Sequence, residues 1–263
     1  MVATIQAPLF VPATRPERFA KAAASGADAV ILDLEDAVGL ADKDSARAAL
    51  RTDFTGLEVI VRINGVGTPW HEADVVALRQ LSVAAVMLPK SEDPAAVAAV
   101  VSALDRRPVI ALIETARGLA NARAIAALAG VVRLAFGSID FCADLGCAQS
   151  REVLLPIRLE LVLASRIARI AAPIDGVTVR LDDPALTYAD AAHARQLGMG
   201  GKLCIHPNQI TEVVRAFTPT GAEIDWARRV LASAEGAVLV DGQMVDEPVR
   251  LRARAILAVA RQL

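Results

Sequence analysis

The chain has 263 residues, 54% of them hydrophobic and 22% charged, enough apolar material for a large core and too much for a disordered or fibrous chain. With 28 Lys and Arg against 30 Asp and Glu the formal charge is −2, so no global basic field exists to hold nucleic acid. The longest uncharged stretch, residues 1–14, carries Pro8 and Pro12, has no basic start and is too short to span a bilayer, so neither a signal peptide nor a membrane anchor is expected. Cys142, Cys147 and Cys204 form no CxxC pair and are odd in number, which suits reduced core thiols in a cytoplasmic protein.

Short Val/Ile/Leu-rich runs alternate with longer Ala/Leu/Arg segments of helical spacing, the signature of parallel βα units. In chain order the expected strands are Pro8–Val11, Ala29–Leu34, Val59–Ile63, Ala85–Leu88, Val109–Ile113, Arg133–Phe136, Gly176–Val179 and Lys202–Ile205. Eight such units close into an α/β fold of the TIM (β/α)8 type, with an open doubly wound sheet as the rival. Thr14 and Glu17 have capping-box spacing with Pro16 between them, and Asp93-Pro94 opens a second helix in the same way. The glycine run 198–201 falls before the last strand, at the end of the barrel opposite phosphate sites, and reads as a tight turn. Residues 222–234 read as the last barrel helix. Beyond them, Val238-Leu239-Val240 and Gln243-Met244-Val245 flank Asp241-Gly242 as a hairpin, and Asp246 precedes a helical run to Leu263. The expected division is a barrel over 1–236 and a short C-terminal hairpin-helix extension, a lid or oligomerisation segment, over 237–263.

Barrel active sites form at the carboxyl ends of the strands, and here those ends are unusually polar. They carry Glu35 and Asp36, Arg62 and Asn64, Lys90, Glu114, Ser138 and Asp140, Arg180 and Asp182, and His206. Glu114 and Asp140 can converge on one Mg²⁺, which keeps open positions for substrate and water, or each can cap a helix or pair with Arg62 or Lys90. Arg62 offers a bidentate grip on a carboxylate or a developing enolate oxygen, or a salt bridge to Glu35 or Asp36. Of Glu35 and Asp36, one can hold a metal-bound water while the other orders the loop. Lys90 is either a charge balancer or a Schiff-base nucleophile, and the nearby carboxylates favour the ammonium. His206, before a proline, reads as a loop-orienting hydrogen bonder more readily than as a catalytic base.

The ordered string LFVPATRPERFAKA, DAVILDLEDAV, VIVRING, VMLPK, ALIETARG, LAFGSIDFCADLG, PIDGVTV and GGKLCIHPNQI resembles the citrate lyase β-subunit-like group of the HpcH/HpaI aldolase superfamily over nearly the whole chain. The resemblance implies a TIM barrel, Mg²⁺, and an enzyme that reversibly cleaves a 3-hydroxyacyl thioester of the citryl-, malyl- or citramalyl-CoA type into acetyl thioester and a 2-oxo acid. It implies metal ligation by Glu114 and Asp140, contact of Arg62 with substrate oxygens, and a CoA side lined by Phe10, Arg15 and Lys21. The tail GQMVDEPV is similar to a lid segment whose Asp enters a neighbouring subunit's site, making Asp246 an acid/base candidate in a homotrimer; its competing role is an N-cap. The acyl carrier is CoA or a carrier protein. Thioester hydrolysis, free-acid aldol cleavage and non-catalytic oxo-acid binding are the alternatives.

Overall fold

The computed structural model describes residues 2–234 and 236–260. Eight parallel strands pair in sequence order: β1 (Pro8–Pro12), β2 (Ala29–Asp33), β3 (Glu58–Arg62), β4 (Ala85–Leu88), β5 (Val109–Ile113), β6 (Val131–Phe136), β7 (Ala171–Asp175) and β8 (Gly201–Lys202). The sheet closes where a parallel bridge joins Leu9 to Cys204, with Phe10 donating to the Cys204 carbonyl and Cys204 to that of Pro8, both at 2.9 Å. This is the TIM barrel expected from the alternation, and the open-sheet alternative falls with the closure. Helices α1 (Phe19–Ala23), α2 (Lys43–Ala48), α3 (His71–Leu78), α4 (Pro94–Ala103), α5 (Ala116–Ala120), α6 (Ala122–Ala126), α7 (Ser138–Leu145), α8 (Arg151–Ala168), α9 (Pro184–Gln196) and α10 (Ile210–Phe217) follow or separate the strands.

Small and branched residues from seven strands or their extensions fill the interior, among them Ile31, Ile60, Met87, Ile110, Leu112, Ala135, Ile174 and Leu203. Every second residue of a strand points inward, so each strand contributes one inner face. Arg133 shares that face with Ala135 two residues on and is fully buried, its guanidinium hydrogen-bonded to the carbonyls of Val2, Ile5 and Ala172. Burial holds its pKa down to about 10, the nearby Asp28 charge notwithstanding.

Two expectations fail locally. The seventh strand lies at Ala171–Asp175, and the β-branched run 176–179 is the loop beyond it. Pro173 hides the strand from a sequence reading, yet its missing N–H falls at a register shift between Arg133↔Ala171 and Ala135↔Ile174, where the β6 ladder is interrupted. Asp175 then anchors the strand end: Arg158 Nε of α8 lies 2.7 Å and Lys202 Nζ of β8 3.0 Å from its carboxylate. Burial opposes its charge, but those two cations outweigh the penalty and lower its pKa. The second failure is the Thr14–Glu17 capping box. Arg15 occupies the cap position of a 3₁₀ turn at Pro16–Arg18, without a side-chain cap bond, and α1 starts only at Phe19. Asp93, by contrast, caps α4 as expected, accepting from the Ala95 amide at 2.9 Å.

The chain divides into two compact units, 1–214 and 215–263, earlier than the boundary expected at 236. Within the second unit, helix α11 (Gly221–Ala232) packs with the tail. Ala227 and Val230 of α11 share an apolar cluster with Val245 and with Ala253 of α12 (Glu247–Ala260). Arg250, buried, donates to the Val230 carbonyl at 2.9 Å. The expected hairpin is present as antiparallel β9 (Val238–Val240) and β10 (Gln243–Val245), with Asp241 and Gly242 both at positive φ in the turn. Residues 261–263, the end of the expected final helix, lie outside the described residues.

Candidate active site

Strand parity builds the site. The inward series Ala29, Ile31 on β2 continues to Asp33, Ile60 on β3 to Arg62, Ile110 and Leu112 on β5 to Glu114 just past its end, and Ala135 on β6 to Gly137. These terminal positions line a cavity of about 480 Å³ together with Phe10, Asp36, Phe136, Ser138 and Asp140. Asp140 enters on the first turn of α7, which starts directly after β6 and is only half-buried there.

Arg62 is the best-fixed side chain of the group. Its Nε and Nη2 donate to the two oxygens of Asp33, both at 2.7 Å, and its Nη1 lies 3.0 Å from Glu35 Oε2 and 3.6 Å from Asp36 Oδ2. The guanidinium carbon sits 4.8 Å from the centre of the Phe10 ring. Burial works against its charge, but the Asp33 hydrogen bonds and the surrounding carboxylates prevail and raise its pKa further. Arg62 is therefore salt-bridged, and it also lines the cavity. Its principal partner, Asp33, is the residue missed at the sequence level. Asp33 also accepts the amides of Glu35 and Ala37 at 2.9 and 3.0 Å, so one fully buried carboxylate sets both the guanidinium and the loop after β2. The signal was available, since Asp33 has the parity of Ala29 and Ile31.

Glu35 is buried outside the cavity lining, between Arg62 and Lys90, with Lys90 Nζ donating to its Oε1 at 2.8 Å. Its backbone carbonyl and that of Leu34 accept from Lys43 Nζ at 2.8 Å, and the same ammonium donates to Asn64 Oδ1 at 2.7 Å. Asn64 thus belongs to a buried structural network with Asp74, away from the cavity lining. Lys90 stands in the left-handed region at φ 47°, which aims its N–H at Glu114 Oε1, 2.7 Å away. Partial burial disfavours its charge, but Glu35 and then Glu114 and Asp36 raise its pKa, so it is held as an ammonium and not as the free amine that an imine mechanism requires.

Glu114 is 1% exposed, and its Oε2 accepts no hydrogen bond among the described residues. Burial first, and the Glu35 charge second, push its pKa to about 8 against the Lys90 amide and ammonium; Asp140 adds to the rise. Five carboxyl groups (Asp33, Glu35, Asp36, Glu114 and Asp140) gather at this mouth around Arg62 and Lys90, with the Lys43 ammonium near Asp33, Glu35 and Asp36. Among the described residues no group of three or more His, Cys, Asp and Glu is arranged to hold a metal. A divalent cation between Glu114 and Asp140 would take its remaining ligands from substrate and water, the habit of small hard cations. The orphaned, buried Oε2, in the same cavity as Asp140, fits such an ion.

A carboxyl raised from 4.5 to about 8 on folding keeps its proton in the folded chain after the unfolded chain has lost it. The metal-free protein is therefore expected to lose stability as pH rises from about 4.5 to about 8, with the loss levelling off above that. Glu35, raised mainly by burial, acts in the same direction. Urea denaturation at about pH 5, 7 and 9 checks this, and Glu114→Gln should flatten the profile.

Gly137 makes room for Glu114: a Cβ there would collide with the Glu114 carboxylate and Cβ. Gly137→Ala is expected to cost about 1–3 kcal/mol and to displace the Glu114 side chain, seen as a lowered urea midpoint together with lost activity.

The remaining candidates scatter. Phe10 lines the cavity, whereas Arg15 and Lys21 are exposed and outside its lining, Arg15 within 4.0 Å of Glu17. Arg180 and Asp182, expected at the mouth, pair with each other in solvent at 3.0 Å and do not line the cavity, because the strand before them ends earlier than expected. His206 caps a short 3₁₀ turn, accepting from the Asn208 amide at 3.2 Å, the loop-orienting role read from its proline neighbour. Asp246 is half-buried and accepts from the Val249 amide at 3.4 Å, N-capping α12. Among the described residues no helix is long and apolar enough to cross a membrane.

An eight-stranded parallel barrel with a guanidinium and paired carboxylates at the carboxyl ends of its strands defines a TIM barrel with an acid-rich mouth, the usual seat of chemistry in that architecture. Residues 6–207 match the HpcH/HpaI aldolase/citrate lyase family, and the chain belongs to it. It is 44% identical over 261 residues to the citrate lyase subunit beta-like protein of Mycobacterium tuberculosis H37Rv, covering 95% of this chain and 93% of that one. It is 33% identical over 268 residues to a (3S)-malyl-CoA thioesterase of Cereibacter sphaeroides, covering 97% and 94%. Among solved structures it resembles the CitE protein of Mycobacterium tuberculosis in complex with magnesium, acetoacetate and coenzyme A, with TM-score 0.89, 41% identity, and coverage of 99% of this chain and 100% of that one. The family resemblance read from the motifs is thereby borne out.

Proposed function

We propose that the protein is a Mg²⁺-dependent carbon–carbon lyase that reversibly cleaves a 3-hydroxyacyl-CoA of the citryl, malyl or citramalyl type into acetyl-CoA and a 2-oxo acid. The observation that carries this reading is the buried Glu114 Oε2, without a hydrogen bond, in the same cavity as Asp140 and Arg62. The magnesium and coenzyme A in the CitE complex support the choice of ion and carrier.

Glu114 and Asp140 hold the ion, which when bound supplies a Lewis acid for the substrate's hydroxyl and carboxylate oxygens. Arg62, locked by Asp33, presents a fixed guanidinium to the oxygen on which charge develops as the C–C bond breaks. Glu35 positions Arg62 and Lys90, and Phe10 lies on the CoA side, with Arg15 and Lys21 as phosphate contacts on the exposed surface. A base at the mouth takes the substrate hydroxyl proton as the C–C bond breaks and the 2-oxo acid carbonyl forms, and Asp246, delivered from a second copy in a homotrimer, protonates the enolate carbon of the departing acetyl thioester; both transfers reverse in the synthetic direction. The setting is the cytoplasm. Since Glu114 must lose its proton to bind the cation, Mg²⁺ affinity is expected to rise with pH up to about 8.

The competing reading is thioester hydrolysis, favoured by the malyl-CoA thioesterase among the relatives. Malyl-, citramalyl- and citryl-CoA assayed with and without Mg²⁺ separate the two. Release of a 2-oxo acid with intact acetyl-CoA supports the lyase; free CoA with intact hydroxy acid refutes it.

A further inference from the structure

Helix α7, which carries Ser138 and Asp140 into the cavity, ends in a geometry that its two cysteines share. Gly146 adopts the left-handed conformation at φ 69°, and the Cys147 amide donates to the Cys142 carbonyl at 3.1 Å. This six-residue closure is a Schellman motif, in which the residues at the first and last positions are neighbours in space and their side chains frequently touch. Standard backbone dimensions place the two α-carbons within about 7 Å of each other across that hydrogen bond, at the edge of the range a disulfide bridges without moving the backbone. Cys142 is buried and Cys147 half-buried, so one sulfur can be approached from solvent while the other waits behind it. Cys204, the third cysteine, is fully buried on the barrel wall.

We propose that Cys142 and Cys147 form a redox-modification site, a dithiol that closes reversibly to an intramolecular disulfide when the protein meets a hydroperoxide. The Cys147 sulfur attacks the peroxide O–O bond and becomes a sulfenic acid, and the Cys142 sulfur displaces its hydroxyl as water to form the S–S bond. Two electrons pass from the sulfurs to the peroxide, and both thiol protons leave in water when the oxidant is hydrogen peroxide. The site adjoins the cavity, since Gln149, two residues beyond Cys147, donates to Ser138 Oγ at 3.2 Å.

The test is to treat the folded, reduced protein with a small excess of hydrogen peroxide, block remaining thiols by alkylation and map the peptides. Expected are loss of both thiols together, a Cys142–Cys147 cross-link, an unblocked Cys204 thiol only after denaturation, and full recovery of the dithiol on treatment with dithiothreitol. Reduced protein should also bind phenylarsine oxide, a probe for paired thiols, and Cys147→Ser should abolish both the cross-link and that binding. Recovery of Cys147 as sulfinic or sulfonic acid beside a free Cys142, or of both thiols unchanged, would overturn the proposal. The readouts are independent of catalysis, so a failure of the lyase reading leaves them unaffected.

Discussion

Glu114→Gln should yield a protein that is more stable without metal above about pH 8 than the parent, yet unable to bind Mg²⁺ and slowed by at least about 10²–10³-fold. The amide keeps the volume that fits against Gly137 and keeps an acceptor for the Lys90 amide, so the packing around position 114 survives. What it removes is a negative charge that burial and Glu35 already disfavour. Gain of stability with loss of function separates a metal ligand from a structural residue, whose removal would lower both. Calorimetric Mg²⁺ titration and urea denaturation of the two proteins, run together, read the pair of effects. An unchanged metal affinity would remove Glu114 from the ion's coordination.

Asp246→Asn is expected to lower kcat by about 10²–10⁴-fold while leaving Mg²⁺ and oxo-acid binding intact. Asn is as good an N-cap as Asp, so α12 should keep its start and the stability should change by no more than about 0.5 kcal/mol. That makes the substitution decide between the two roles of this side chain: a cap alone predicts normal turnover, a proton-transfer residue predicts its loss. Because Glu114 and Asp246 would meet only across a subunit boundary, mixing Glu114→Gln and Asp246→Asn chains should restore part of the activity that neither has alone. Absence of any recovery after subunit exchange would place Asp246 outside the neighbour's site.

How far the sequence speaks for the structure depends on whether a feature is local. The β-branched runs of β2, β3 and β5, buried on both faces, announce themselves, and Asp241-Gly242 announces its hairpin, because each depends on residues next to one another in the chain. Pro173 shows the limit. A proline argues against a strand, and only the neighbouring strand's register shift makes it tolerable. In the site, Arg62, Glu114 and Asp140 were legible as polar residues following apolar runs. Asp33 is easily passed over because it closes the run VILD; its parity with Ala29 and Ile31 gives its direction, and its partner becomes visible only when the Arg62 guanidinium comes from the next strand to meet it. The buried Arg158–Asp175–Lys202 cluster is equally silent, its members coming from three separate elements. The partner of helix α11 is likewise silent, because helical spacing shows that a face is apolar and not that Val245 and Ala253 cover it.

Glu114 and Asp140 are expected to close on one hard cation beside Arg62. A crystal structure of the protein grown with Mg²⁺ and a 2-oxo acid tests it most directly. Expected is density for one ion bonded to an oxygen of each carboxylate and to oxygens of the oxo acid, at about 2.1 Å. Carboxylates turned away from each other, with the oxo acid held by Arg62 alone and no metal between them, would contradict it.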